Sequence, residues 1–195
     1  MLYRRLLVAV LWIFVSCAGP AYKNPHVEIQ TRLGKIRVEL YVEKAPKSVN
    51  AFLSNIKAGY YRDASFYRVL TVSNQPSDYY KAELIQGGIW RKKRKLSDSL
   101  PGIPHETTQQ TGISHQDGVI SFARLDPGTA KTEFFICLGD QPGFDYGGKN
   151  NPDGQGYAAF GKVVAGMDVV SKIYNRPEYE QALDPPVDIF NIIQL

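Results

Sequence analysis

Three apolar segments bring one arginine, one glutamine and a pair of aromatics toward a single candidate site: Phe66-Tyr67-Arg68-Val69, Ile85-Gln86-Gly87-Gly88 and Glu133-Phe134-Phe135-Ile136. A guanidinium is permanently charged and presents its donors in a fixed fork. A carboxamide both donates and accepts, so Gln86 is equipped to orient Arg68 and to bond a polar ligand as well. The chemistry open to this pair is electrostatic: stabilising charge in a transition state without giving up a proton. Two other chemistries lack their pattern. His105-Glu106 with His115 misses the one-turn spacing of His-Glu-x-x-His, so no metal site is expected. Gly147-Gly148 and Asp153-Gly154-Gln155-Gly156 do not follow a strand and open a helix, as a phosphate loop would, and are expected as a surface loop. Cys137 sits in Phe134-Phe135-Ile136-Cys137-Leu138 and is expected as a small buried hydrophobe.

These residues need strands to carry them. Val27–Gln30 and Ile36–Leu40 alternate apolar with polar residues around the turn Arg32-Leu33-Gly34-Lys35, the pattern of a hairpin with one buried face. Pro46 suits a helix's first turn, Val49, Phe52, Leu53 and Ile56 recur at helical spacing, and Gly59 stands where the helix should end. Further strands are expected at 65–70, 83–86, 119–123, 133–138, 158–163 and 187–193, with a second short helix at 167–174. Many short strands and two helices point to an all-β barrel or sandwich. Along a strand Phe134 alternates away from Phe135 and is expected in the core. Arg91-Lys92-Lys93-Arg94-Lys95 is expected as a solvated loop, with anionic headgroups or acidic clients as its possible ligands.

The order of motifs resembles the cyclophilin family of peptidyl-prolyl cis/trans isomerases. Phe66-Tyr67-Arg68 stands where that family carries Phe-His-Arg, Gln86-Gly87-Gly88 matches Gln-Gly-Gly, and Thr132-Glu133-Phe134-Phe135-Ile136 matches Ser-Gln-Phe-Phe-Ile. Gly118 to Ala123, Tyr157 to Val163 and Gly166 to Val170 complete the pattern, so the resemblance runs from about Asn24 to the C-terminus. It implies a mainly β fold, a closed eight-stranded antiparallel β-barrel capped by two α-helices, with the site on the outer face. It also implies rotation about X-Pro bonds of unfolded or folding polypeptides, with no cofactor. Arg68 and Gln86 would be catalytic. Phe135, Leu84, Phe144 and Tyr157 would line the proline pocket, Ala123 and Arg124 would pair with the substrate backbone, and Glu133 and Phe66 would also contact substrate. A non-catalytic proline-peptide binding or chaperone module on the same fold is the alternative.

Several positions depart from the family. Glu83 stands where many cyclophilins have a pocket phenylalanine, and Glu133 replaces the usual glutamine. Two carboxylates near Arg68 could hold it in place or compete with substrate for its donors. Tyr67 and Tyr157 replace histidines, which removes titratable groups. Gly143 falls where cyclosporin-sensitive members have tryptophan. The segment between Leu70 and Glu83 is longer than in compact members and, being near the site, could select substrates or be merely tolerated.

The N-terminus reads as a targeting signal. Arg4 and Arg5 precede the apolar run Leu6 to Val15, which falls short of the about 20 residues that span a bilayer. Ser16-Cys17 follows, resembling a bacterial lipobox, with Phe14 where such signals prefer leucine. The expected organisation is a signal peptide at 1–16, a tether from a lipidated Cys17 over 17–24, and one isomerase domain at 25–195. The expected location is the bacterial cell envelope, lipid-anchored and facing the periplasm. Removing 1–16 takes Arg4 and Arg5 and no acid, so the excess of 23 Lys and Arg over 19 Asp and Glu is halved. A nearly neutral mature protein gives no reason to expect nucleic acid, and a monomer is expected. Of the two cysteines one is assigned to the anchor, which leaves no intrachain disulfide.

Overall fold

The computed structural model describes residues 23–77 and 80–195. The signal, Cys17 and most of the tether expected from the sequence lie outside the described residues. The elements in chain order are β1 (His26–Thr31), β2 (Gly34–Leu40), α1 (Pro46–Lys57), β3 (Ala64–Leu70), β4 (Leu84–Gly88), α2 (Trp90–Ser99), α3 (Thr108–Thr111), β5 (Val119–Phe122), β6 (Phe134–Cys137), β7 (Ala158–Ala165), α4 (Met167–Tyr174), β8 (Glu178–Tyr179) and β9 (Ala182–Gln194). Every strand pairing is antiparallel, in the order β1-β2-β7-β5-β6-β4-β3-β9, and β1 pairs back onto β9. Eight strands therefore close a barrel, and β8 only extends β9 into a short hairpin. Closure removes the open edges that would otherwise invite pairing with other chains. Among the described residues no helix is long and apolar enough to cross a membrane.

The barrel interior is aromatic. Phe52 of α1 packs against Tyr61, Phe122, Phe134 and Phe160, with centroids 5.1–6.1 Å apart, and Phe122 stacks on Phe160 at 4.5 Å. Phe134 lies in this core, as its alternation with Phe135 requires. Ala45 has no side chain to cap α1. The buried Glu106 does so from a distant loop, accepting from the Lys47 and Ser48 N–H groups at 3.1 and 2.7 Å. A carboxylate there also suits the positive end of the helix dipole.

Two expectations need correcting. The described residues contain four α-helical segments, not two. The basic run 91–95 is not a loop: it lies in α2, which kinks at Lys93. Its cations are largely engaged by the protein itself. Lys92 pairs with Asp188 at 2.6 Å, Lys93 donates to the carbonyls of Tyr60 and Arg62, and Arg94 lies over the Trp90 ring and near Asp98. Lysine and arginine are good helix formers, and Leu96 packs this segment onto the core. A count of charges along the chain shows neither effect.

Candidate active site

Arg68 on β3 and Gln86 on β4 are register partners, so backbone pairing alone sets them side by side. Arg68 Nη1 donates to Gln86 Oε1 at 3.1 Å. Gln86 Nε2 in turn donates to the Tyr67 hydroxyl at 3.0 Å, and Tyr67 donates to Glu133 Oε2 at 2.6 Å. On the other side, Arg68 Nε and Nη2 both donate to Gln181 Oε1, at 3.1 and 2.7 Å. The guanidinium is half-buried and held between two carboxamides. Burial lowers its pKa from the ordinary value, opposed by Tyr157 and Tyr67, and a guanidinium remains protonated regardless.

Beside it lies a second apolar cluster, separate from the barrel core, made of Leu70, Ala82, Leu84, Phe135, Cys137 and Phe144, with Ala123 and Tyr157 packed against it. Phe135, Phe144 and Tyr157 form a triangle of edge-to-face contacts with centroids 5.2–5.3 Å apart. All four expected pocket residues thus come together. Behind Phe135, the buried His115 stacks at 6.0 Å and bonds Asp145 Oδ1 at 2.7 Å and Ser121 Oγ at 3.0 Å. This is a fixed backing for the pocket floor. Cys137 is buried as expected, and burial raises its thiol pKa, with Asp145, Asp117 and Asp140 adding to the shift.

Two expected substrate contacts, Phe66 and Glu133, are elsewhere. Phe66 is wholly buried in the barrel, edge-on to Phe134 at 5.7 Å. In a regular strand it would share a face with Arg68, but the register shifts between them. Such a bulge sends the two side chains to opposite sides. Glu133 is half-buried at the start of α2, accepting from the N–H groups of Ile89 and Trp90 at 2.9 Å and from Thr132 Oγ1 at 3.1 Å, besides Tyr67. The two glycines of β4 make room: a Cβ at Gly88 would run into the Glu133 carboxylate, and one at Gly87 would meet Phe66 Cδ1 at 2.8 Å. The Arg124 side chain is committed to Asp153, at 2.7 and 2.9 Å, and to the Gly156 carbonyl, and it lies over the Tyr157 ring. The side chain braces a pocket wall, and the expected pairing of Arg124 with a substrate runs through its backbone. The Ala123 N–H is taken by the Glu133 carbonyl at 2.9 Å.

Neither unexpected carboxylate bonds Arg68 directly. Glu83 accepts from Tyr174 of α4 at 2.6 Å, and Glu133 reaches Arg68 only through Tyr67 and Gln86. Burial raises the Glu133 carboxyl above its ordinary pKa, opposed by hydrogen bonds from Tyr67, Trp90, Thr132 and Ile89.

Comparison with known proteins now decides the family. The model of the cyclophilin type peptidyl-prolyl cis-trans isomerase family matches residues 26–194. The chain belongs to the cyclophilins. It is 36% identical over 171 residues to a peptidyl-prolyl cis-trans isomerase of Acinetobacter baylyi, covering 87% of this chain and 82% of that one. It is 31% identical over 148 residues to peptidyl-prolyl cis-trans isomerase B of Escherichia coli, covering 75% and 82%. A crystal structure of a cyclophilin type isomerase from Cryptosporidium parvum shares the fold, with a TM-score of 0.67 at 21% identity over 88% of this chain and 98% of that one. Peptidyl-prolyl isomerase function follows from family membership.

Gln181 is the functional candidate that the sequence did not reveal. It sits in the β8–β9 hairpin, 113 residues beyond Arg68, and Ala182 is Arg68's register partner. Nothing in Glu178-Tyr179-Glu180-Gln181 marks it out locally. Tyr67 was legible only as a replaced histidine, yet it connects Gln86 to Glu133.

Proposed function

We propose that this cyclophilin is a lipid-anchored isomerase of the bacterial envelope, acylated at Cys17, that assists folding of exported polypeptides by rotating X-Pro bonds. The barrier to that rotation, about 18–20 kcal/mol, comes from amide resonance. Lowering it requires stabilising the twisted amide and anchoring the ring. The observation that carries the catalytic part is the clamped Arg68 guanidinium beside the triangle of Phe135, Phe144 and Tyr157. The ring sits against Phe135 and Leu84. Arg68 donates to the peptide carbonyl oxygen and toward the prolyl nitrogen as it pyramidalises, while Gln86 keeps the guanidinium oriented. The interaction strengthens as the amide twists, so it favours the transition state over the ground state. A second Cryptosporidium parvum cyclophilin structure of the same fold, with TM-score 0.65, was obtained in the presence of the dipeptide Ala-Pro, which is consistent with a proline ligand. Arg4, Arg5, the apolar run to Val15 and Ser16-Cys17 support the anchor, and two acyl chains give stable attachment where one is marginal.

Both parts are tested on full-length protein expressed in a bacterium. The protein should accelerate isomerisation of a short X-Pro peptide. Arg68→Ala should fold and lose about ten- to a hundredfold in rate, as expected for one charged hydrogen bond. A folded Arg68→Ala near wild-type speed would refute the role of Arg68. Mass spectrometry should find Cys17 acylated and N-terminal, and Cys17→Ser should leave the membrane fraction or remain unprocessed. An unmodified Cys17, or cleavage elsewhere, would refute the anchor.

A further inference from the structure

We infer that Gln181 is a positioning residue for the isomerase reaction, holding Arg68 from the side opposite Gln86 and fastening it to the long segment after β3. The inference rests on the assignment of Arg68 as the group that stabilises the twisted amide. Gln181 Oε1 accepts from both Nε and Nη2 of Arg68, at 3.1 and 2.7 Å, the edge-on approach that fixes the plane of the guanidinium. Gln86 accepts only from Nη1. With one acceptor on each side, rotation about the last side-chain torsion is blocked and the remaining donors keep a fixed direction.

Gln181 is itself held at four points. Its Nε2 donates to the Asn74 carbonyl at 3.2 Å, which also fixes which end of the carboxamide faces Arg68. Its N–H donates to Glu178 Oε2 at 2.6 Å, and its carbonyl accepts from the Val69 N–H, next to Arg68, at 2.9 Å. The fourth point is the backbone. Glu180 and Gln181 form a two-residue hairpin turn with φ of 50° and 70°, a conformation for which Asn-Gly is the favoured sequence. A glutamine there adopts the left-handed region at some strain. Its side chain offers what glycine would not, a reach to Arg68.

The same carboxamide joins Arg68 to the segment after β3. Asn74 belongs to the 71–83 segment, whose length departs from compact cyclophilins, and its own side chain is tied to the Val69 carbonyl and the Thr71 N–H. Displacement of that segment is therefore transmitted to Arg68 through one hydrogen-bonded side chain.

Gln181→Gly separates the positioning role from a structural one, because glycine relaxes the turn while removing the acceptor. Full-length Gln181→Gly should melt no lower than wild type, lose about tenfold in kcat on an X-Pro peptide and keep KM within about twofold. Gln181→Glu retains an acceptor for the same two donors and should restore most of the lost kcat. The inference is overturned if Gln181→Gly keeps kcat within twofold, if its rate falls only in proportion to a lower melting temperature, or if Gln181→Glu is as impaired as Gln181→Gly. Arg68→Ala in the same assay separates the failures. A slow Arg68→Ala with an unimpaired Gln181→Gly rejects only the role of Gln181, whereas an unimpaired Arg68→Ala rejects the assignment on which it rests.

Discussion

Glu133 replaces a neutral residue of the family pattern with a half-buried charge, and its four hydrogen bonds keep that charge at the start of α2. The basic residues 91–93 in the first turn of α2 oppose the helix dipole, and a carboxylate on the Ile89 and Trp90 N–H groups offsets them. The raised carboxyl pKa shows that burial outweighs these bonds. The sign follows by linkage: a group whose pKa is higher folded than unfolded supports folding below its unfolded pKa, and that support is lost as pH rises through its folded pKa. Glu133→Gln, which keeps an acceptor without the charge, should therefore gain stability relative to wild type as pH rises through the carboxylate range. Denaturant melts of both proteins from acid to neutral pH check this, and a constant difference would contradict it. Glu133→Ala orphans two backbone N–H groups and the Tyr67 hydroxyl, and should be destabilised by roughly 2–5 kcal/mol. Gly143 argues a second case at this scale. Cyclosporin-sensitive cyclophilins place tryptophan there, so this protein should bind the drug more weakly by roughly 2–4 kcal/mol, about one and a half to three decades. Gly143→Trp should restore part of the binding, with the Asn150 carboxamide that a Cβ there would meet swinging aside. Nanomolar inhibition of the unaltered protein would contradict the alignment at Gly143.

Among the elements, the segment between β3 and β4 is tied to both ends of the site. Gln181 bonds the Asn74 carbonyl at one end. At the other, Asn150 donates to the Tyr80 carbonyl at 2.9 Å, and Lys149 lies over the Tyr80 ring. Deleting 73–80 should change the preference among X-Pro peptides more than it changes stability, since shortening a surface loop alters closure entropy only slightly. Rates on a panel of peptides, set beside melting temperatures, measure both; unchanged preference with a sharply lower melting temperature would make the segment structural. How far such features were legible depends on the distance over which they are encoded. Arg68 beside Gln86, and Phe135 facing away from Phe134, follow from alternation and one strand pairing, which sequence pattern carries. The motif that aligns Phe66 with Arg68 carries no sign of the bulge that turns Phe66 into the core. Arg91 to Lys95 reads as a loop because a charge run hides the helix propensity of its residues. Gln181 was missed because its role depends on the pairing of β9 with β3, set by the closed barrel and not by any neighbour in sequence.

In the whole molecule, β9 is the strand on which closure and site geometry meet. It pairs with β1 to seal the barrel and with β3, which carries Arg68, and its hairpin with β8 delivers Gln181. Ile189 and Ile192 of β9 lie in the core, and Ile189 is the register partner of both Thr31 on β1 and Ala64 on β3. Among the described residues the first strand begins at His26, and just ahead of it the Pro25 carbonyl accepts from the Leu40 N–H of β2 at 2.9 Å. The two ends of the chain should then respond oppositely to truncation. Removing residues 1–22 should leave the melting temperature and the X-Pro rate of the soluble protein unchanged. Stopping at Asp188 removes two buried isoleucines and the whole β1–β9 ladder. By side-chain burial alone this forfeits roughly 3–6 kcal/mol, comparable to the 5–15 kcal/mol that typically holds a domain folded. That protein should show no cooperative melt and no isomerase activity. If it retains both, the barrel tolerates an open seam, and the placement of Arg68 does not depend on closure.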